Sequence, residues 1–303
     1  DRVLGVRAYN KEATLALRAA VTIDASGDAD VVAMAGLPGF VGADGQVQNP
    51  TMIFRLMGVD TRRLFATYGD DTIMPAEITE LIAAENRAGR YELPRTKIWL
   101  FPTTRPNELL CNCTRVIGSD GRALNTLYAR DFTEAEILGR RQVREYARFF
   151  RDHVAGCEDS FVNDTGVQVG VRQTRQGLGR YVLANADVLA GAKFADGIAR
   201  SPWPIELHAG EKPRVHWLLD DFYEVPYWCF VPARGDGLLF AGRCLSAEHE
   251  AVASARVTAQ CFSYGQAIGH AASIAANEAI SPHAIDGSRI RAGLNAMGAR
   301  LDD

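Results

Sequence analysis

The sequence predicts an α/β fold in which one domain is built from both ends of the chain and a larger α+β segment is inserted between them. Three observations carry this expectation. Two short apolar β-type runs, Ala20-Val-Thr-Ile-Asp-Ala25 and Gly237-Leu-Leu-Phe-Ala-Gly242, lie near opposite ends of the 303-residue chain, and each runs into a glycine turn followed by a helical stretch. Between them, strand-like and helical runs alternate, including a long amphipathic stretch at 133–153. A composition of 47% apolar and 23% charged residues supports a buried core, and the length accommodates two domains. The expected divisions are 1–38 and 236–280 for the composite domain, 39–235 for the insertion and 281–303 for a helical tail.

Taken in order, residues 1–25 read as strands. The run 3–9 alternates loosely, Asn10-Lys11-Glu12 makes a polar turn, and 13–17 returns as a hairpin arm. The run 20–25 follows, and 28–35 reads as a short helix closed by Gly36 and Pro38. Glycine, glutamine and proline mark 39–50 as loop, and 51–59 reads as a strand. Residues 61–68 and 75–89 read as helices, 99–101 and 108–116 as strands. Thr133-Glu-Ala-Glu136 fits a capping box and sets the start of the long helix at Thr133. Residues 166–174 read as a strand, 203–227 is mixed and rich in aromatics, 254–279 is a long helix of small residues, and 285–301 holds one more helix.

Charge and composition narrow the classes of function. With a formal net charge of −4 and no dense Lys/Arg stretch, nucleic acid is not an expected partner. No run of about 18 apolar residues predicts a membrane span. The most apolar stretch, 267–279, carries Gly269, His270, Asn277 and Glu278 and reads as a buried helix. The cysteines at 111, 113, 157, 229, 244 and 261 form no C-x-x-C pair and no zinc spacing, so reduced thiols in a cytoplasmic protein and no metal site are expected. Cys111-Asn112-Cys113 reads as two cysteines on opposite faces of a strand, or as a redox or metal pair. No signal peptide is visible. The chain opens with Asp1 rather than Met, in mid-pattern, which sets the expectation of a natural N-terminus further upstream.

Two stretches are candidate ligand sites. In Thr22-Ile23-Asp24-Ala25-Ser26-Gly27-Asp28, a glycine after a buried strand lets the backbone approach a ligand, and the N–H groups opening the next helix can face an anionic group. The same residues also make an ordinary strand-to-helix turn capped by Ser26 or Asp28. The second stretch combines Gly242-Arg243-Cys244, Ser254-Ala255-Arg256 and Gly265-Gln266-Ala267-Ile268-Gly269. Gly265 and Gly269 fall on one helix face, where each glycine costs about 1 kcal/mol against alanine. Close approach of a ligand, or tight helix–sheet packing, explains such a pair.

The stretch "IDASGDADVVAMAG" resembles the Ile-Asp-Ala-Thr-Gly-Asp element of the FAD-dependent oxidoreductases, a bacterial group within the glutathione-reductase-like superfamily, with Ser26 in place of Thr. "GQVQNPTMIFRLMGVD" resembles the family's Gln-Pro-Thr segment, with Asn49 as a departure. "VGVRQTRQGLGRYVLANADVLAGAKFADGIARSPWPIELH" resembles its Arg-rich substrate-domain signature. "YEVPYWCFVP" and "LLFAGRCLSAEHEAVASARVTAQCFSYGQAIGHAA" resemble its C-terminal flavin-closing element. The resemblance covers nearly the whole chain, with its motifs in order. It implies a partial Rossmann-like FAD-binding domain, because the family's G-x-G-x-x-G unit for the FAD pyrophosphate does not occur in this sequence. The expectation is a truncated chain, or a partner chain that supplies that unit. A homo-oligomer is the other assembly expected.

The resemblance also implies residue roles. Ala25, Ser26, Gly27 and Asp28 would lie along the phosphate–ribityl region of FAD, and Gly242 and Arg243 would meet the ribityl or pyrophosphate. Gly265, Gln266 and Ala267 would sit near the flavin ring, and Gln48, Pro50 and Thr51 would approach it from the substrate side. Arg256 would serve a flavin phosphate or the substrate, or pair with Glu250. Arg172 and Arg175, an Arg-x-x-Arg pair on a strand-like stretch, suit an oxyanion or a structural ion pair. Glu206 and His208 alternate on one face of an extended segment. His249, just after the Gly-Arg turn, and His208 are candidates for proton transfer while hydride passes between a small organic substrate and flavin. Tyr223 and Tyr227 line the pocket or pack the core. Two other functions stay open: a non-catalytic subunit that completes a flavin site, and a flavin-dependent reductase of an unsaturated carboxylate bound by Arg172 and Arg175.

Overall fold

The computed structural model describes residues 1–207, 214–218 and 220–302 and shows a mixed α/β chain of two compact units. The first unit comprises Asp1–Gln48 and Gln173–Asp303, and the second Asn49–Arg172. Residues 39–48 and 173–235, expected within the insertion, group with the first unit.

The first unit opens with a hairpin of β1 (Gly5–Tyr9) and β2 (Thr14–Arg18). Its turn is made by the Asn10 side chain, which accepts from the backbone N–H groups of Glu12 and Ala13 at 3.0 and 2.8 Å. Then come β3 (Thr22–Asp24), α1 (Asp30–Met34) and β4 (Gly39–Val41).

In the second unit, β5 (Phe54–Met57), α2 (Thr61–Tyr68), α3 (Ala76–Arg87), β6 (Trp99–Pro102), β7 (Glu108–Asn112), α4 (Ala129–His153) and β8 (Phe161–Thr165) follow. Its strands form one antiparallel sheet in the order β6-β7-β5-β8. Helix α2 begins where the Asp60 carboxylate accepts from Arg63 N at 3.0 Å. The buried residues of α4 include Ala135, Gly139, Val143, Tyr146, Ala147 and Phe150, three or four apart, so one stripe meets the core of this unit. Burying each large side chain there stabilises the fold by about 1.5–3 kcal/mol.

The chain returns to the first unit with β9 (Arg175–Gly177), α5 (Asn185–Leu189), β10 (Gly197–Ser201), β11 (Ile205–Leu207), β12 (Arg214–His216), β13 (Tyr223–Pro226), β14 (Leu238–Phe240), α6 (His249–Ala255), α7 (Thr258–Asn277) and α8 (Gly287–Ala296). Strand β14 pairs in parallel with β3, with Leu238 opposite Thr22 and Phe240 opposite Asp24. Helix α7 packs on both strands, and its buried residues Tyr264, Ala267, Ile268, Ala271 and Ile274 belong to the core of this unit. The other pairs, β4–β9, β10–β13 and β11–β12, are antiparallel.

Four local expectations are corrected. Helix α4 begins at Ala129, not Thr133: the Thr133 hydroxyl donates to the Ala129 carbonyl inside the helix, and Glu136 pairs with Arg140 instead of reaching back to a cap. The strand expected at 166–174 is absent, with β8 before it and β9 after it. Gly166 and Gly170 break the run to one isolated bridge, Thr51 to Gly170. The long helix expected over 254–279 is two helices, parted where Val257 is extended. Cys111 and Cys113 do not sit on opposite faces: both are buried, as two residues spaced i and i+2 on an extended chain must be when one face meets the core. All six cysteines are free thiols. Among the described residues, no helix is long and apolar enough to cross a membrane and no group of His, Cys, Asp or Glu could hold a metal ion.

The helix starts can be tested as a pair. Asp60→Ala removes a true cap and should cost about 1 kcal/mol in urea unfolding. Thr133→Ala, in an exposed helical turn, should change stability by less than about 0.5 kcal/mol. A Thr133→Ala loss as large as that of Asp60→Ala would restore Thr133 as the cap.

Candidate functional site

Strands β3 and β14 are parallel, so their C-terminal ends come out side by side and their two glycine turns meet. The first turn is organised by Asp24. Its buried carboxylate accepts from Ser26 N at 3.0 Å, Ser26 Oγ at 2.7 Å and Val32 N at 3.0 Å, while Ser26 Oγ accepts from Asp30 N. Gly27 and Ala29 follow with left-handed backbone, φ 81° and 51°. The second turn is tied to the first where Ala241 N donates to the Asp24 carbonyl at 2.9 Å.

The side chains of the two turns then interlock. Arg243 Nη1 donates to Asp28 Oδ1 at 2.7 Å and to Thr174 Oγ1 at 3.2 Å, and Thr174 also donates to Asp28. A Cβ on Gly27 would lie 2.9 Å from the Arg243 guanidinium, so glycine leaves the room that this arginine occupies. Burial pushes the Asp28 carboxyl up. The hydrogen bonds from Arg243 and Thr174, with the charges of Arg243 and Arg175, outweigh that and hold it below the ordinary carboxylate range. Ala25 and Ser26 are exposed, and Gly242, at φ 89°, has open space where a side chain would start.

A second group lies in the same unit. Arg256 Nη2 donates to Gln48 Oε1 at 3.0 Å, and Gln48 Nε2 donates to the His249 carbonyl at 3.2 Å. His249 is the first residue of α6, whose start is held by the Asn185 side chain accepting from Ala251 N at 2.8 Å. Gly42 turns beside it: a Cβ there would overlap the Gln46 carbonyl and lie 3.5 Å from His249 Nδ1. Burial pulls the Arg256 guanidinium down to about 10, with Glu206 opposing the shift and Arg243 adding to it, so it stays a cation at neutral pH. Arg256 Nε is buried without a hydrogen-bond partner among the described residues.

The expected site residues therefore divide. Ser26, Gly27, Asp28, Gly242, Arg243 and Arg175 form one neighbourhood, in which Arg175 pairs with Asp30 at 3.7 Å. Gln48, His249 and Arg256 form the other. Arg172, Pro50 and Thr51 belong to the second unit, where Arg172 Nη1 donates to the Asn49 carbonyl at 2.7 Å and Thr51 N to Gly170 O at 3.0 Å. Arg172 and Arg175 thus do not share a strand. His208 lies outside the described residues. On α7, Gly265, Gln266 and Gly269 are exposed and nothing stands within 4 Å of a Cβ at either glycine, so helix–sheet packing does not explain them; Ala267 is buried. Tyr223 and Tyr227 are both core, bonded to Ser254 and to the Pro282 carbonyl.

Sequence reasoning missed Asp24 and Thr174. An aspartate closing a strand just before Ser-Gly is a turn-forming signal that identifies Asp24. Thr174 carries no local signal, because its partners Asp28 and Arg243 are remote in sequence.

Fold and site together define an α/β protein with a parallel strand pair and two polar glycine turns at one end, where Ala25 and Ser26 are exposed. The chain belongs to the FAD dependent oxidoreductase family, whose family model matches residues 1–294, and so to the flavin-dependent oxidoreductases. No curated protein and no solved structure matches it.

Because the Asp28 pKa is lowered in the fold, its ionised form contributes stability that is present above the unfolded value near 3.9 and lost as pH falls through the folded value. Asp28→Asn should therefore be less stable than the parent by a constant amount from pH 7 to about 5, and the gap should close below about pH 4. Urea midpoints measured across pH 2.5–7 check this; a gap independent of pH would remove the ion pair as its cause.

Proposed function

We propose that this chain serves hydride transfer between a small organic substrate and a bound FAD, with the turns after β3 and β14 as a Rossmann-like cradle for the cofactor. The observation that carries this reading is the joining of two parallel strand ends by Asp28 and Arg243, beside open backbone at Ala25, Ser26 and Gly242. These groups fit a flavin dinucleotide: a guanidinium suits its polar linker, and Gly242, with open space where a side chain would start, leaves room for close approach. The exposed glycine face of α7, with Gly265 and Gln266, fits a flat ring in the same way.

When bound, the flavin accepts or returns a hydride at N5. The chain's own residues bind and orient. Arg175 is engaged by Asp30 and the Ala29 carbonyl, so the anion-binding role in the first unit falls to Arg256, whose buried Nε has no hydrogen-bond partner among the described residues. Gln48 links Arg256 to the backbone of His249 and fixes their spacing. His249 takes the substrate proton, a role suited to an imidazole near neutral pH.

Two variants of the full chain test this. Arg243→Ala should weaken FAD binding about tenfold or more, read by quenching of flavin fluorescence. In the flavin-loaded protein, His249→Ala should slow flavin reduction by about 100-fold or more with FAD still bound. Reduction kinetics equal to the parent's would take His249 out of the mechanism, and equal FAD affinity in Arg243→Ala would take the cradle out of the reading.

A further inference from the structure

Helix α4 carries Arg130, Arg140, Arg141, Arg144, Arg148 and Arg151, all of them exposed, in a chain whose formal net charge is −4. Its apolar stripe meets the core of the second unit, so these arginines lie on the side turned outward. Arg130, Ile137, Arg141, Arg144 and Arg148 stand at i, i+7, i+11, i+14 and i+18. That spacing aligns them along one side of the helix for about 27 Å.

The acidic side chains of α4 do not neutralise this side, because each has another partner. Asp131 accepts from Arg122 Nη1 and Nη2 at 2.7 Å, and Glu134 from Ser119 N and Oγ at 2.8 and 2.7 Å. Glu136 pairs with Arg140, Glu145 with Arg148 at 2.8 Å, and Asp152 accepts from the Tyr91 hydroxyl. Arg148 also lies 4.1 Å over the Tyr91 ring and donates to the Arg90 carbonyl. Arg130, Arg141 and Arg144 make no ion pair among the described residues.

Two grooves meet at Arg141. One, of about 550 Å³, places Ala129, Ile137 and Leu138 between Arg130 and Arg141. The other, of about 610 Å³, lies beside Arg141 and Arg144, with Glu92 at its lining. Ile137 is 51% exposed, so an aliphatic side chain stands open to solvent between cations.

We propose that this face of α4 docks an acidic segment of a partner protein. Carboxylates of the segment meet Arg130, Arg141 and Arg144, and an apolar side chain seats on Ile137 and Leu138. Guanidinium groups bind carboxylates through paired N–H bonds, and the aliphatic groove between them takes a leucine-sized anchor. A nucleic-acid strand stacks its bases on aromatic rings, and none lines the first groove. A membrane surface takes a broad apolar helix face, which α4 spends on the core. The residues all belong to the second unit, so the proposal does not rest on the flavin reading.

The test is fluorescence anisotropy of a fluorescein-labelled peptide of glutamates, with two central leucines one helical turn apart, titrated with the full chain. It should bind saturably. Exchanging its glutamates for glutamines, or its leucines for serines, should weaken it about tenfold or more. Arg141→Gln with Arg144→Gln, both exposed, should fold with an unchanged thermal melt and weaken the peptide about tenfold, and Ile137→Ser should weaken it too. Arg7→Gln with Arg18→Gln, an equal change of charge on the exposed hairpin of the first unit, should bind as the parent does. No saturable binding, equal affinity for either exchanged peptide, parent-like binding by the α4 variants, or an equal loss in the hairpin variant would each overturn the assignment. So would tighter binding of oligothymidylate or of phosphatidylserine vesicles. None of these outcomes bears on FAD binding.

Discussion

The ion pair between Asp28 and Arg243 is the contact on which the first unit's architecture turns. Its partners are remote in sequence, and each sits in a turn that the fold must hold open. Asp24 shapes one turn from below by accepting three hydrogen bonds, and the Asp24 carbonyl ties the other turn to it through Ala241 N. Gly27 lies against the Arg243 guanidinium, which a Cβ there would meet at 2.9 Å. A buried or half-buried ion pair contributes little net stability when both partners are well hydrated in the unfolded chain. Its value here is positional: it joins the turn after β3 to the turn after β14.

Legibility in the sequence followed the range of the forces involved. Helix α2 was readable to the residue, while α8 was foreseen with ends two and five residues too long, because apolar periodicity is local and helix ends are set by finer contacts. The strand-and-glycine turns were readable too, since a buried strand and a glycine turn each leave a short signature at residues 22–28 and 238–243. The start of α4 was not, because Thr-x-x-Glu is equally at home inside a helix when Thr133 bonds back to Ala129 and Glu136 turns to Arg140. The break between α6 and α7 was hidden for the opposite reason: no proline or glycine marks Val257, and small residues run through both helices. Long-range polar contacts such as Thr174 with Asp28 leave no periodic trace at all.

The arginines show how little spacing alone says about a side chain's partners. Arg172 and Arg175 are three apart, yet the chain passes from one compact unit to the other between them. Arg172 serves the Asn49 carbonyl, and Arg175 serves α1 through Asp30 and the Ala29 carbonyl. Two guanidinium groups near in sequence can therefore anchor different pieces of backbone, while Arg243 and Arg256, further apart in the chain, feel each other's charge.

That mutual repulsion has a physical consequence. Arg256 is drawn toward its neutral form by burial and by Arg243, while the charges of Glu206 and Cys261 oppose the shift. Its Nη2 is bonded to Gln48, but its Nε is buried without a partner among the described residues. Leaving a buried donor unmet costs about 1–3 kcal/mol, and evolution keeps such a cost at few places other than sites of function. An anionic group arriving beside Arg256 would meet the open donor and relieve the repulsion from Arg243 at once. The same fold thus spends Arg243 on Asp28 and leaves Arg256 with a buried Nε that has no partner among the described residues.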